Sequence, residues 1–109
     1  MTVARLTIWR RAAAGSETIL EIGPDGDAIG YNGHVDLGTG LRTAFGQIIA
    51  EELDLPMHRV RMVMGDTART PDQGPTIASE SIQIAAVPLR QAAAQARGLI
   101  ADLAAARLN

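Results

Sequence analysis

The sequence contains no cysteine, few aromatic residues and no strong excess of charge of either sign. Without cysteine the chain cannot form disulfides, thiolate metal sites or iron–sulfur clusters of its own, so any redox relay must lie on another polypeptide. The net charge of -2 gives no basic field, and Trp9, Tyr31 and Phe45 are too scattered to stack nucleic-acid bases. We therefore expect no nucleic-acid partner.

The sequence also lacks a long hydrophobic run. No stretch approaches the roughly 20 apolar residues of a membrane-spanning helix. Arg5, Arg10 and Arg11 lie within and after the first apolar positions rather than ahead of them, which is unlike a signal peptide. We expect a cytoplasmic protein with no membrane span, and the length of 109 residues fits a single domain over residues 1–109.

Alternation of apolar and polar residues predicts strands in the first third of the chain. They cover residues 3–10, 18–22 and 28–31. The segment 12–16 separates the first two strands, and the turn sequence Gly23–Gly26 favours a hairpin between the second and the third. Val35 and Leu37 are expected to prolong this sheet as far as Gly38.

The pattern changes to a helical period at Leu41. The apolar face of this first helix comprises Leu41, Ala44, Phe45, Ile48, Ile49 and Leu53. Val60–Met64 alternates again and predicts a strand, and Ser81–Leu108 is alanine-rich and helical, with a kink or a restart expected at Pro88. The order of elements predicts an α+β fold, a two-layer sandwich in which two long helices pack on one face of a mixed sheet.

Two loops lead into the predicted helices. Residues 33–41 read Gly-His-Val-Asp-Leu-Gly-Thr-Gly-Leu, and residues 71–81 read Pro-Asp-Gln-Gly-Pro-Thr-Ile-Ala-Ser-Glu-Ser. A Gly-x-Gly turn and a Ser-x-Ser turn at helix starts would offer two sets of free backbone N–H groups, which suits an anionic cofactor. Alternatively, Gly38 and Gly40 only permit a tight turn, and Ser79 and Ser81 are ordinary helix caps.

Other kinds of site find little support in the sequence. Thr43 stands where a dinucleotide-binding fingerprint needs its third glycine, and no Lys-Ser or Lys-Thr pair follows as in a P-loop. His34 and Asp36 lack a third ligand nearby, so we expect no metal site in this chain. No Ser-His-Asp triad or carboxylate pair is defined, and we assign no catalytic residue.

Four stretches of the sequence carry a family resemblance: Gly33–Ala44, Gln47–Pro56, Val60–Thr67 and Thr70–Ser81. Together they make residues 33 to about 97 resemble part of the molybdenum-cofactor-binding subunit of the xanthine dehydrogenase and aldehyde oxidase family. The likeness is greatest to its isoquinoline and nicotinate oxidoreductase branch, whose members hydroxylate N-heteroaromatic compounds or oxidise aldehydes.

The resemblance implies which residues contact the molybdenum cofactor, molybdopterin. They are Leu37, Gly38, Thr39, Gly40, Ile77, Ala78, Ser79, Glu80 and Ser81. Thr39 replaces the glutamine of much of the family, and Glu80 adds negative charge where an anionic cofactor is expected. The family's other pterin-binding lobes and late catalytic glutamate have no counterpart here, so the chain is at most part of an oxidoreductase and is not active alone.

The resemblance leaves three functions open. The first is a small subunit or split segment of a molybdenum hydroxylase, which shares molybdopterin with a larger molybdenum-binding subunit and passes electrons to an iron–sulfur subunit. The second is a non-catalytic remnant of the cofactor-binding domain that self-associates into a homo-oligomer. The third is a cofactor carrier or insertion factor.

Overall fold

The computed structural model describes residues 5–12, 15–66, 68–73, 76 and 81–108. In these residues a four-stranded sheet packs against two α-helices, which confirms the expected α+β class. The elements are β1 (Leu6–Ala12), β2 (Gly15–Ile22), β3 (Ala28–Asn32), α1 (Leu41–Leu53), β4 (Val60–Met64) and α2 (Ser81–Leu108), with a short 3-10 helix at Met57–Arg59.

The sheet is mixed, as expected. Its strand order is β1-β2-β3-β4; the first two pairs are antiparallel, and β3 and β4 are parallel. Parallel neighbours need a crossover connection, and α1 provides it. The carboxyl end of β3 therefore leads directly into the loop that precedes α1, where the first candidate motif lies.

One cross-strand row of residues marks the face of the sheet that the helices cover. It runs through Ile8, Leu20, Gly30 and Met62. A Cβ atom on Gly30 would come within 2.7 Å of the Met62 sulfur and would also collide with Ile49 of α1. Glycine at this position thus permits α1 to pack closely on β3.

The core is built mainly from aliphatic side chains, as the composition predicts. Phe45 and Ile49 of α1 are fully buried against the sheet. Among the described side chains of α2, the buried apolar ones are small apart from one leucine: Ala85, Ala86, Leu89, Ala92, Ala93 and Ala96. Beyond residue 96 every residue of α2 as far as Leu108 is exposed. No helix in the described part of the chain has the length and apolar character needed to cross a membrane.

Three predicted features differ from the structure. The first strand extends further, to Ala12, and the second begins earlier, at Gly15; they pair with each other up to these two residues, with a register shift between Ile8 and Trp9. Residues 33–40 form bends rather than a continuation of the sheet, because side chains take up their backbone N–H groups. The restart of α2 at Pro88, one of the two expected alternatives, is wrong, since the helix and its buried face continue on both sides of the proline; the alternative of a kink stays a prediction.

Candidate functional site

The loop before α1 is organised by the carboxylate of Asp36. Its Oδ1 accepts hydrogen bonds from the backbone N–H groups of Gly38 (2.8 Å) and Thr39 (3.0 Å), and its Oδ2 accepts one from the N–H of Arg42 (3.1 Å). These bonds, with that from Arg42 the largest cause, lower the pKa of Asp36 below its usual value. The expectation that this turn presents free N–H groups is therefore wrong for these three residues.

The tip of the same loop, residues 37–40, is exposed to solvent. Gly38 and Gly40 have φ angles of +92° and +82°, a region that favours glycine, and no atom of the described residues lies within 4 Å of a Cβ built on either. The Leu37 side chain is 70% exposed, and Thr39 is exposed beside it. We call residues Leu37–Gly40 the glycine loop; among the described residues, no side chain covers the space in front of its two glycines.

Ser81, the first residue of α2, is tied to the base of this loop through His34. The His34 ring is 1% exposed; its Nδ1 lies 2.7 Å from the Ser81 Oγ, and its Nε2 lies 3.1 Å from the backbone oxygen of Gln73. The structure therefore brings Ser81 and the segment that leads to the glycine loop together. The other predicted site residues of this region, Ile77, Ala78, Ser79 and Glu80, lie outside the described residues.

Three consecutive N–H groups before the glycine loop donate to side chains. Gly33 donates to the Gln73 Oε1 (2.7 Å), His34 to the Asn32 Oδ1 (3.0 Å) and Val35 to the Thr76 Oγ1 (3.0 Å). A Cβ atom on Gly33 would collide with the backbone oxygen of Pro71. The chain therefore leaves the sheet here and is fastened to the segment that precedes α2.

His34 and Asp36 have separate structural tasks. The Asp36 carboxylate binds the start of α1, whereas the His34 ring is buried between Gln73 and Ser81. In the ranges that the structure describes, no group of three or more metal-ligating residues comes together. The role of His34 was missed because its ring partners are 39 and 47 residues away along the chain, beyond any local pattern.

Comparison with known proteins identifies the family of this chain. A family model described as the molybdopterin cofactor-binding domain matches residues 2–109. The chain is 58% identical over 90 residues to a subunit of nicotinate dehydrogenase from Pseudomonas putida, a match that covers 83% of this chain and 8% of the relative. It is 34% identical over 88 residues to the carbon monoxide dehydrogenase large chain of Hydrogenophaga pseudoflava, covering 77% of this chain and 11% of the relative.

The chain thus spans about a tenth of the length of these curated relatives. The match to the family model extends beyond both ends of the stretch 33–97, which carries the family motifs in the sequence. On this evidence the chain belongs to the molybdopterin cofactor-binding domain family, within the xanthine dehydrogenase group of molybdenum enzymes.

Proposed function

We propose that this chain is a small subunit or split segment of a molybdenum hydroxylase, and that it forms one wall of a molybdopterin site for the oxidation of aldehydes or N-heteroaromatic compounds. Association with molybdopterin follows from the family. The similarity to a nicotinate dehydrogenase favours an N-heteroaromatic substrate. Because that relative is many times longer, the remaining walls of the site belong to a larger polypeptide with which the cofactor is shared, and this chain holds none alone.

The observation that carries the proposal is the open backbone of the glycine loop. In the part of the chain that the structure describes, nothing fills the space in front of Gly38 and Gly40, as close approach of a rigid cofactor requires. Leu37 adds an exposed apolar side chain, and Thr39 adds an exposed hydroxyl group. The open shape of the loop and the Thr39 hydroxyl both fit a contact with molybdopterin. The N–H groups of Gly38 and Thr39 donate to Asp36, so they could bind the cofactor only if the Asp36 carboxylate released them.

The proposed role of this chain is to bind and orient molybdopterin. Molybdopterin, when bound, supplies the molybdenum at which the substrate is oxidised with oxygen derived from water. The glycine loop and residues 77–80, which lead into Ser81 at the start of α2, would bound one side of the cofactor, and no residue of this chain is assigned as an acid or base. Since the chain has no cysteine, an iron–sulfur subunit is the proposed electron acceptor, and the assembly is proposed to be cytoplasmic.

A second candidate function is a non-catalytic remnant of the domain that self-associates. It is favoured by an exposed apolar stripe at the end of α2: Leu99 is 40% exposed, Leu103 is 65% exposed and Leu108 is 87% exposed. Leu99 and Leu103 continue the face on which Ala92 and Ala96 are buried. A second copy of the chain would cover this stripe in such a remnant.

Native mass spectrometry of the tagged chain, isolated from its own host, separates these candidates. The proposed function predicts a complex that contains a larger polypeptide and the mass of molybdopterin. A homo-oligomer of bare chains would contradict it and support the remnant. Molybdopterin bound to the chain with no larger polypeptide would support a carrier instead.

A further inference from the structure

We propose that His34 positions the glycine loop relative to the start of α2, and that the Ser81 hydroxyl serves this ring rather than the cofactor. The residues involved are Asn32, His34, Gln73 and Ser81, here called the His34 network. The relevance of the network to a cofactor rests on the proposed function. Its hydrogen bonds are properties of this chain and can be tested separately.

The partners of the ring define its tautomer. The backbone oxygen of Gln73 can only accept a hydrogen bond, so the Nε2 atom that lies 3.1 Å from it carries the hydrogen. In a neutral ring the Nδ1 atom is then an acceptor, and the Ser81 hydroxyl at 2.7 Å donates to it. Both ring nitrogens are satisfied in a site that is closed to solvent.

This assignment changes the role of Ser81. Its side chain is buried at 8% exposure, and its hydroxyl hydrogen is committed to His34. The family resemblance places Ser81 among the cofactor contacts, yet the donor that it would offer points into the protein. Ser81 is accordingly a positioning residue, whose influence on a cofactor passes through His34 to the glycine loop.

The network joins three segments that are distant in sequence. Asn32 is the last residue of β3, donates to the backbone oxygen of Ala85 in α2 (3.4 Å) and accepts from the His34 N–H (3.0 Å). Gln73 binds the Gly33 N–H through its side chain and the His34 ring through its backbone. The end of β3, the segment at Gln73 and the first turns of α2 are thus held in one arrangement at the base of the glycine loop.

Amide hydrogen exchange tests the network in the assembly isolated with the tagged chain. The peptide to follow covers residues 33–35, whose N–H groups bind Gln73, Asn32 and Thr76. We expect Ser81→Ala to accelerate exchange there about tenfold, the change expected when a buried acceptor loses its donor. Ser81→Thr, which keeps a hydroxyl group, is expected to restore protection, and Ser16→Ala at an exposed position of β2 is the matched control.

Exchange at residues 33–35 that is unchanged in Ser81→Ala would overturn the inference, as would equal acceleration in Ser81→Ala and Ser81→Thr. The wild-type chain supplies a second test that needs no variant. With histidine labelled by nitrogen-15, the His34 ring should show hydrogen on Nε2 alone; exposed His58 is the chain's other histidine and is assigned with His58→Gln. Hydrogen on Nδ1 would overturn the assignment.

The molybdopterin content of the same samples keeps the two proposals apart. A wild-type assembly that lacks molybdopterin but shows the expected exchange pattern would refute the proposed function and leave the His34 network intact. An assembly that holds molybdopterin but shows no effect of Ser81→Ala would refute the network alone. If both proposals hold, Ser81→Ala lowers the molybdopterin content and Ser81→Thr restores it.

Discussion

At the scale of single residues, Asp36 determines how the glycine loop meets α1. One carboxylate accepts hydrogen bonds from three backbone N–H groups: those of Gly38 and Thr39 in the glycine loop and that of Arg42, which belongs to the first turn of α1 and would otherwise need water or a ligand. A negative charge at a helix N-terminus is also favoured by the helix dipole. The residue that looks like half of a metal site in the sequence is therefore a helix cap that keeps Gly38 and Thr39 in place.

The lowered pKa of Asp36 gives this cap a predictable pH dependence. A folded-state pKa below the unfolded value of about 3.9 means that the stabilisation is complete above that pH and disappears as the pH falls through the folded pKa. We expect Asp36→Asn to be less stable than the wild type at neutral pH, and the difference to shrink in acid. Thermal unfolding of both proteins at a series of pH values measures this difference in stability.

Asp102→Asn is the control for this substitution, because Asp102 is exposed in the outer part of α2. Its stability should follow that of the wild type throughout. A difference between Asp36→Asn and the wild type that stayed constant from neutral pH to about pH 2 would contradict the assigned role of the carboxylate.

Local patterns in the sequence predict residue roles only where the partners are near. The buried positions Leu41, Phe45 and Ile49 follow from helical spacing, because each lies one turn from the next. The burial of His34 does not follow from any spacing, since the Ser81 hydroxyl and the Gln73 backbone reach it from a distant segment. Such a contact becomes visible only when the fold is known.

At the scale of elements, α2 is a single helix that contains a proline. Its 28 residues run from Ser81 to Leu108 with Pro88 inside. Proline lacks the N–H that would bond to residue 84, and its ring crowds the carbonyl of that residue. Burial of Ala85, Leu89 and Ala92 on the sheet holds the helix together across this defect. The restart predicted as one alternative is wrong because helix propensity does not include this packing.

Pro88→Ala should therefore stabilise the protein. Restoring one helical hydrogen bond and removing the ring are expected to raise the free energy of unfolding by about 1 to 3 kcal/mol. Denaturant unfolding measures the change. Val87→Ala is the control, since Val87 is an exposed neighbour with its own N–H and should alter stability by less than about 0.5 kcal/mol. Equal or lower stability of Pro88→Ala would mean that the proline costs the helix nothing.

The sequence predicts the boundaries of an element where its apolar residues follow a single spacing, either alternating or helical. The alternating residues of β4 and the helical stripe of α1 specify those elements from the first residue to the last. The strand predicted to continue through Val35 and Leu37 was wrong, although both residues are apolar at a period of two. Side-chain acceptors replace a neighbouring strand there, and alternation in the sequence does not distinguish the two.

At the scale of the whole molecule, several surface features have no partner among the described residues of this chain. The glycine loop is open, the outer part of α2 carries exposed leucines, and β1 and β4 form the two edges of the sheet. The chain also spans only about a tenth of its curated relatives. The larger polypeptide that we propose, which would complete a molybdopterin site around the glycine loop, would account for these features together.

The central claim is that the glycine loop is a wall of that site, and the molybdopterin content of variant assemblies tests it most directly. Gly40→Ala strains a positive φ angle and adds a methyl group to the open face; Gly15→Ala also strains a positive φ angle, at the first residue of β2, and no described atom lies within 4 Å of the new Cβ. We expect about tenfold less molybdopterin with Gly40→Ala and a wild-type amount with Gly15→Ala. Equal amounts of molybdopterin in the two variants would contradict the claim.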